Sequence, residues 1–259
     1  MSKMANAFKD GKAFIAFLTG GDPTPEKTVE YILTMEKAGA DLIEIGIPFS
    51  DPTAEGVVIQ DANIRALKAG TTTDKIFEIV KEVRKTSQIP LVFLTYLNPV
   101  FHYGYDAFFK KCKEYQVDGL IIPDLPYEEK HEVTDVADLY GVDIISMIAP
   151  TSKQRIQMIA SEAKGFIYIV SSMGVTGVRS EITTDIPGIV EAIRQVSDVP
   201  AAVGFGISTP AQAEEMAKAS DGAIVGSAIV KIIAAKKDQA AQDLYDYVRS
   251  MKEAVQKAD

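Results

Sequence analysis

Cysteine and histidine are the scarcest chemistry in this 259-residue chain, which holds one cysteine, Cys112, and two histidines, His102 and His131. A lone thiol forms no internal disulfide, and three such ligands are too few for a zinc cluster. His131 falls in a polar helical segment and reads as solvated. His102 follows an apolar run with no Ser or Cys nucleophile signature beside it, so neither is assigned catalysis. No apolar stretch reaches the roughly 18–20 residues of a membrane span. The start, Met1-Ser2-Lys3-Met4-Ala5-Asn6, lacks the apolar core of a signal peptide. Positive charge is also short. Lys plus Arg number 27 against 36 Asp plus Glu, a net charge of −9 with no basic cluster, which argues against nucleic acid. Phosphate stays open, because backbone N–H groups hold it without lysines. The expectation is a cytoplasmic, metal-independent protein.

What is present is alternation. Short β-type runs at 13–19, 42–46, 91–95, 119–122, 144–148, 166–170, 201–204 and 223–225 are separated by helical periodicity at 28–38, 75–85, 107–115, 129–140, 153–163, 189–196 and 211–219, with a last helix at 239–255. Thr209-Pro210-Ala211-Gln212 places proline at the first helical position with a capping-box spacing, and Gly39 and Gly141 stop their helices. Strands alternating with helices imply parallel pairing and right-handed crossovers. No GxGxxG turn follows the first strand, which disfavours an open doubly wound sheet. The expected fold is α/β, a single (β/α)8 barrel over residues 1–259 with extra short helices.

In such a barrel, chemistry sits at the C-terminal ends of the strands. The most informative stretch, 43–56, carries Glu44 inside an apolar run and then Asp51 and Glu55 in a loop punctuated by proline and glycine. A carboxyl in a strand buried on both faces should have a raised pKa and trade a proton near neutrality, unless a basic partner pairs with it. Two carboxyls in different environments make an acid/base pair. Asp51 and Glu55 also read as solvated loop charges.

Glycines follow the last three strands, in Gly174-Val175-Thr176-Gly177, Gly204-Phe205-Gly206-Ile207-Ser208 and Gly226-Ser227. That pattern suits a phosphate held by backbone and a helix start, with Ser227 as a further donor or a plain cap. Phe17, Leu94, Tyr96, Ile121, Tyr168 and Phe205 lie at strand ends, as barrel core or as walls for an aromatic ligand. Asp124 is a strand-end carboxylate that reads equally as a helix cap.

Together these motifs resemble the tryptophan synthase alpha subunit over nearly the whole chain. The resemblance rests on Phe17-Leu18-Thr19-Gly20-Gly21-Asp22-Pro23, Glu44-Ile45-Gly46-Ile47-Pro48-Phe49-Ser50-Asp51-Pro52, Thr95-Tyr96-Leu97-Asn98-Pro99, Pro123-Asp124-Leu125-Pro126, the glycine turns above and Gly226-Ser227-Ala228-Ile229-Val230. It implies retro-aldol cleavage of indole-3-glycerol phosphate to indole and glyceraldehyde 3-phosphate, without a cofactor of the chain's own. It also implies a PLP-dependent beta subunit as partner in an alpha2beta2 complex. By resemblance Glu44 is the general acid/base and Glu55 the second catalytic carboxylate. Phe17, Leu94 and Ile121 would form the indole wall, with Tyr96 and Tyr168 beside the substrate. Gly177, Gly206, Gly226 and Ser227 would cradle phosphate, Thr176 would order the site, and Asp51 would face the beta subunit.

The chain departs from the family pattern where it reads Glu55-Gly56-Val57 in place of the usual Asp-Gly-Pro. The second carboxylate is one methylene longer, and a fixed φ is lost just beyond it. The expectation is that the loop relaxes to seat Glu55; the alternative is a weakly active or regulatory subunit that serves mainly to activate its partner. The loops at 49–57 and 171–185 are expected to act as lids.

Overall fold

The computed structural model describes residues 3–171 and 184–258. Among the described residues, nine strand segments build one sheet: β1 Ala13–Thr19, β2 Leu42–Gly46, β3 Leu91–Leu94, β4 Gly119–Ile121, β5 Asp143–Ile144, β6 Ser146–Ile148, β7 Ile167–Val170, β8 Ala201–Gly204 and β9 Gly222–Val225. Their order is β5-β4-β3-β2-β1-β9-β8-β7-β6, with every pair parallel. The two ends of that order, β5 and β6, are separated in the chain by Ile145 alone, so the sheet curls into a barrel. The expected strand at 144–148 is thus two segments, one bonded to β4 and the other to β7.

Alternation along the strands explains their uninterrupted apolar sequences. Ala13, Ile15, Leu42, Val92, Ile121, Tyr168, Ala202 and Ile224 fill the barrel. Phe14, Ala16, Leu18, Ile43, Ile45 and Phe93 point the other way, into the layer under the helices. Both faces are buried, as parallel strands require. Met4 and Phe8, from the 3-10 turn Lys3–Phe8, plug the interior at the strand starts.

The helices are α1 Pro25–Ala38, α2 Val57–Lys68, α3 Thr73–Arg84, α4 Leu97–Tyr103, α5 Tyr105–Glu114, α6 His131–Tyr140, α7 Lys153–Ala160, α8 Ile186–Arg194, α9 Pro210–Ala219, α10 Ser227–Lys236 and α11 Ala241–Gln256. The capping box at Thr209 and Gln212 is formed. Gly39 and Gly141 end α1 and α6 in the left-handed conformation. Among the described residues, no helix is long and apolar enough to cross a membrane.

At the strand starts one device recurs three times. Asp41, Asp118 and Asp221 each immediately precede a strand (β2, β4 and β9). Each donates its N–H to the carbonyl of a residue on the neighbouring strand: Phe14, Leu91 and Ala201. Each carboxylate then accepts from the N–H of that same residue, at 2.6, 2.9 and 2.7 Å. Lys252, Arg84 and Arg194 complete the three staples. They lock the register at the end of the barrel opposite the strand C-termini.

Candidate active site

A cleft opens at the C-terminal ends of the strands. Phe17, Glu44, Glu55, Leu94, Tyr168, Phe205, Gly206, Gly226 and Ser227, all expected from sequence, line it together. Thr176 and Gly177 lie outside the described residues.

Glu44 occupies an inward position of β2, in register with Phe17 on β1 and Val92 on β3. Its side chain is 1% exposed and its Oε1 has no hydrogen-bond partner among the described residues. Burial raises its pKa from an ordinary 4.5 to about 8. Among the described residues no cation meets it, so the ion-pair alternative finds no partner there. Tyr168, fully buried on β7, has its hydroxyl pKa raised by the same desolvation and then by the proximity of Glu44.

Glu55 reaches the cleft from the β2–α2 loop. Although on a loop, it is only 6% exposed. Asn63 of α2 donates from Nδ2 to its Oε2 at 2.7 Å, and Gln60 donates to its carbonyl at 2.7 Å. Burial raises the Glu55 pKa to about 7, against the lowering effect of Asn63. The reading of Glu55 as a solvated loop charge is therefore corrected. Asp51, in the same loop, is exposed and accepts from the Ser50 hydroxyl.

Tyr96 stands behind the loop rather than in the cleft wall. Its hydroxyl accepts from the Ala54 N–H at 3.1 Å, and its ring packs on Phe49 with centroids 5.5 Å apart. Ile121 is buried in the barrel interior with Val92 and Tyr168, in register with the cleft residue Leu94, but does not itself line the cleft. α2 itself is anchored by Arg65, which makes two hydrogen bonds, at 2.9 and 2.7 Å, to the buried carboxylate of Asp22 in the β1–α1 loop.

The aromatic walls depend on glycines in adjacent strands. A Cβ on Gly46 would stand 2.8 Å from Phe17 Cζ, and one on Gly204 would stand 2.3 Å from the Tyr168 hydroxyl. Both rings pack against backbone that carries no side chain. Phe205 meets Tyr168 edge-on, with centroids 6.1 Å apart.

At the other side of the cleft, α10 begins with Gly226 as N-cap and Ser227 as its first residue, so its free first-turn N–H groups face the opening. Beside it, Phe205 and Gly206 take consecutive left-handed conformations, φ 75° and 82°. Successive N–H groups in such a turn form an anion-binding concavity. No side chain among the described lining residues is basic.

Sequence reasoning missed Asn63 because it missed α2. The start Gly56-Val57-Val58-Ile59 offers no side-chain cap, and it extends a loop rich in turn residues. The usable signal was Ile59, Ala62, Asn63 and Ala66, buried at i, i+3, i+4 and i+7. α4 was missed too. Its first N–H, on Leu97, is capped by Asp124 from another βα unit at 2.9 Å, which settles Asp124 as a cap.

Known proteins give the same picture. A family model described as "Tryptophan synthase alpha chain" matches residues 4–256. The tryptophan synthase alpha chain of Lacticaseibacillus casei is 51% identical over 255 residues, covering 98% of this chain and 96% of that protein. That of Lactiplantibacillus plantarum is 50% identical over 256 residues, covering 98% and 97%. Among solved structures, the tryptophan synthase alpha chain of Legionella pneumophila superposes with a TM-score of 0.89 at 34% identity, covering 99% and 98%. A chain of the Pyrococcus furiosus tryptophan synthase a2b2 complex superposes with a TM-score of 0.83 at 34% identity, covering 93% and 98%.

Proposed function

Because this chain belongs to the tryptophan synthase alpha chain family, we infer that its cleft is where indole-3-glycerol phosphate undergoes retro-aldol cleavage to indole and glyceraldehyde 3-phosphate. The chain acts as the alpha subunit, paired with a beta subunit in an alpha2beta2 assembly like that of the Pyrococcus furiosus relative. The observation that carries the reading is the convergence of two buried carboxyls, Glu44 and Glu55, on one apolar cleft with a helix start at its far side.

The reaction breaks the bond between indole C3 and the glycerol side chain. A proton must reach C3, another must leave the glycerol hydroxyl, and charge on the ring nitrogen must be stabilised. With a pKa of about 8, Glu44 is mostly protonated at neutral pH and delivers the C3 proton. As the carboxylate it then takes the hydroxyl proton, so one group closes the cycle. Glu55, with a pKa of about 7, supplies the anionic partner for the indole N–H. Phe17, Leu94 and Tyr168 hold the ring and exclude water, which strengthens both carboxyl interactions. The phosphate sits on the N–H groups of Gly206, Gly226 and Ser227.

On this reading the chain works in the cytoplasm and needs no cofactor of its own, PLP belonging to the beta subunit. Exposed Asp51 lies in the loop that faces that partner.

The test is indole release from indole-3-glycerol phosphate, with and without a beta subunit, beside Glu44→Gln. Turnover should fall by about 10²–10⁴ in the variant while the substrate still binds. Substrate binding without turnover in the unaltered chain, even with the partner present, would make it a binding and signalling subunit instead.

A further inference from the structure

The turn Phe205-Gly206-Ile207-Ser208 offers an anion its N–H groups only if its carbonyl oxygens point elsewhere. Two hydroxyls from outside the turn hold those oxygens. Ser171, fully buried just past β7, donates from Oγ to the Phe205 carbonyl at 2.6 Å. Tyr247, on α11 outside the ring of strands, donates its hydroxyl to the Ser208 carbonyl at 2.9 Å. Neither lines the cleft. Ser171 is itself fixed on both sides. Its N–H donates to Gly204, and its carbonyl accepts from the Thr184 hydroxyl. The Ser208 hydroxyl is not available to a ligand, because it and the Ser208 N–H both donate to Gln212 Oε1, at 3.2 and 2.9 Å.

Left-handed φ at Phe205, a residue with a side chain, is a conformation that persists only where surroundings impose it. The two captured carbonyls are that imposition. Were either released, its oxygen would be free to turn toward the cleft, where no basic side chain among the described lining residues offsets it.

We propose that Ser171 and Tyr247 are positioning residues for phosphate binding: by capturing the Phe205 and Ser208 carbonyls they keep the turn's N–H face toward the cleft. The proposal rests on the phosphate cradle described under the proposed function and extends it to two residues that never touch the ligand. It ties the C-terminal helix to substrate affinity.

The experiment compares the unaltered chain with Tyr247→Phe and Ser171→Ala, using calorimetric binding of glycerol 3-phosphate as the phosphate probe and of indole as the phosphate-free one. Each variant should bind glycerol 3-phosphate about 3- to 10-fold more weakly, the effect of one lost hydrogen bond, with indole affinity within twofold. In turnover the loss should fall on KM for indole-3-glycerol phosphate more than on kcat. Equal weakening of both probes would reduce the two hydroxyls to general structural supports and overturn the proposal; so would unchanged binding of both. If Ser171→Ala fails to fold, Tyr247→Phe decides alone, since it removes one hydroxyl and keeps the ring. Absence of glycerol 3-phosphate binding in the unaltered chain overturns the cradle itself, and with it this proposal.

Discussion

Asn63 and Glu55 are eight positions apart yet form a buried hydrogen bond of 2.7 Å, from the carboxamide on α2 to the carboxylate on the loop that leads into that helix. The extra methylene of Glu55 is thereby accommodated: its head is held from below while its backbone is held by Gln60 and, through Ala54, by Tyr96. Shortening the side chain in Glu55→Asp draws the carboxylate back by about an ångström and breaks the contact with Asn63. Turnover should fall about 10- to 100-fold. A faster Glu55→Asp enzyme would mean that the loop seats the longer side chain badly.

The pH dependence of turnover follows from the same two groups. Activity needs Glu55 ionised and Glu44 protonated, with pKa values of about 7 and about 8. The profile of kcat/KM should be a narrow bell, with its acid limb near 7 and its alkaline limb near 8. Replacing Asn63 with Ala removes the interaction that lowers the Glu55 pKa, so the acid limb should move upward and the alkaline limb stay in place. An acid limb that does not move would separate Glu55 from that limb.

Much of this was legible in the sequence where local pattern determines local structure. β1, β2 and β8 coincide with the apolar runs at 13–19, 42–46 and 201–204, because a strand covered on both faces needs nothing but apolar residues. Glu44 stood out for the same reason: a charge inside such a run has nowhere polar to go. The division of the fifth strand at Ile145 was not legible, because it arises from closing the sheet onto two different neighbours. Nor were the helpers of the site. Asn63, Tyr247 and Ser171 act across 8, 39 and 34 positions; helical spacing marks Asn63 as a buried residue of α2, but no local pattern says which group each of the three reaches. The staples hide in plain view as Asp residues ahead of β2, β4 and β9, and only strand pairing reveals what each one reaches.

Stability should depend on pH through Glu44 in the direction set by its raised pKa. Between about 4.5 and about 8 the folded chain keeps a proton that the unfolded chain releases. The stabilisation from keeping that proton is therefore full below about 4.5 and is lost as pH rises through 8. Glu44→Gln carries no such proton. It should match the parent near pH 4.5 and exceed it by on the order of 5 kcal/mol near pH 9. Thermal melts of both proteins across that range measure the divergence; parallel curves would mean that the carboxyl finds solvent or a partner when it ionises.

The staples predict where stability and activity separate. Asp118 is the most enclosed of the three: its side chain is 10% exposed and that of its partner Arg84 is 6% exposed. Its carboxylate accepts from the Leu91 N–H at 2.9 Å and from Arg84 at 3.1 Å. In Asp118→Ala both donors lose this acceptor, and the Arg84 guanidinium stays largely buried without its counter-charge. Removing one member of a buried pair costs roughly 3–5 kcal/mol. Arg84 also donates to the carbonyls of Ile89 and Gln116, so the loss should fall at the lower end of that range. The staple lies at the strand starts, whereas the cleft lies at the strand ends, and barrels divide stability and chemistry between those faces. Denaturant unfolding should therefore show the full loss, while kcat and KM at a temperature where the variant is still folded should stay within about twofold of the parent. A large drop in kcat would mean that register errors at the bottom of β3 and β4 propagate along the strands to the cleft.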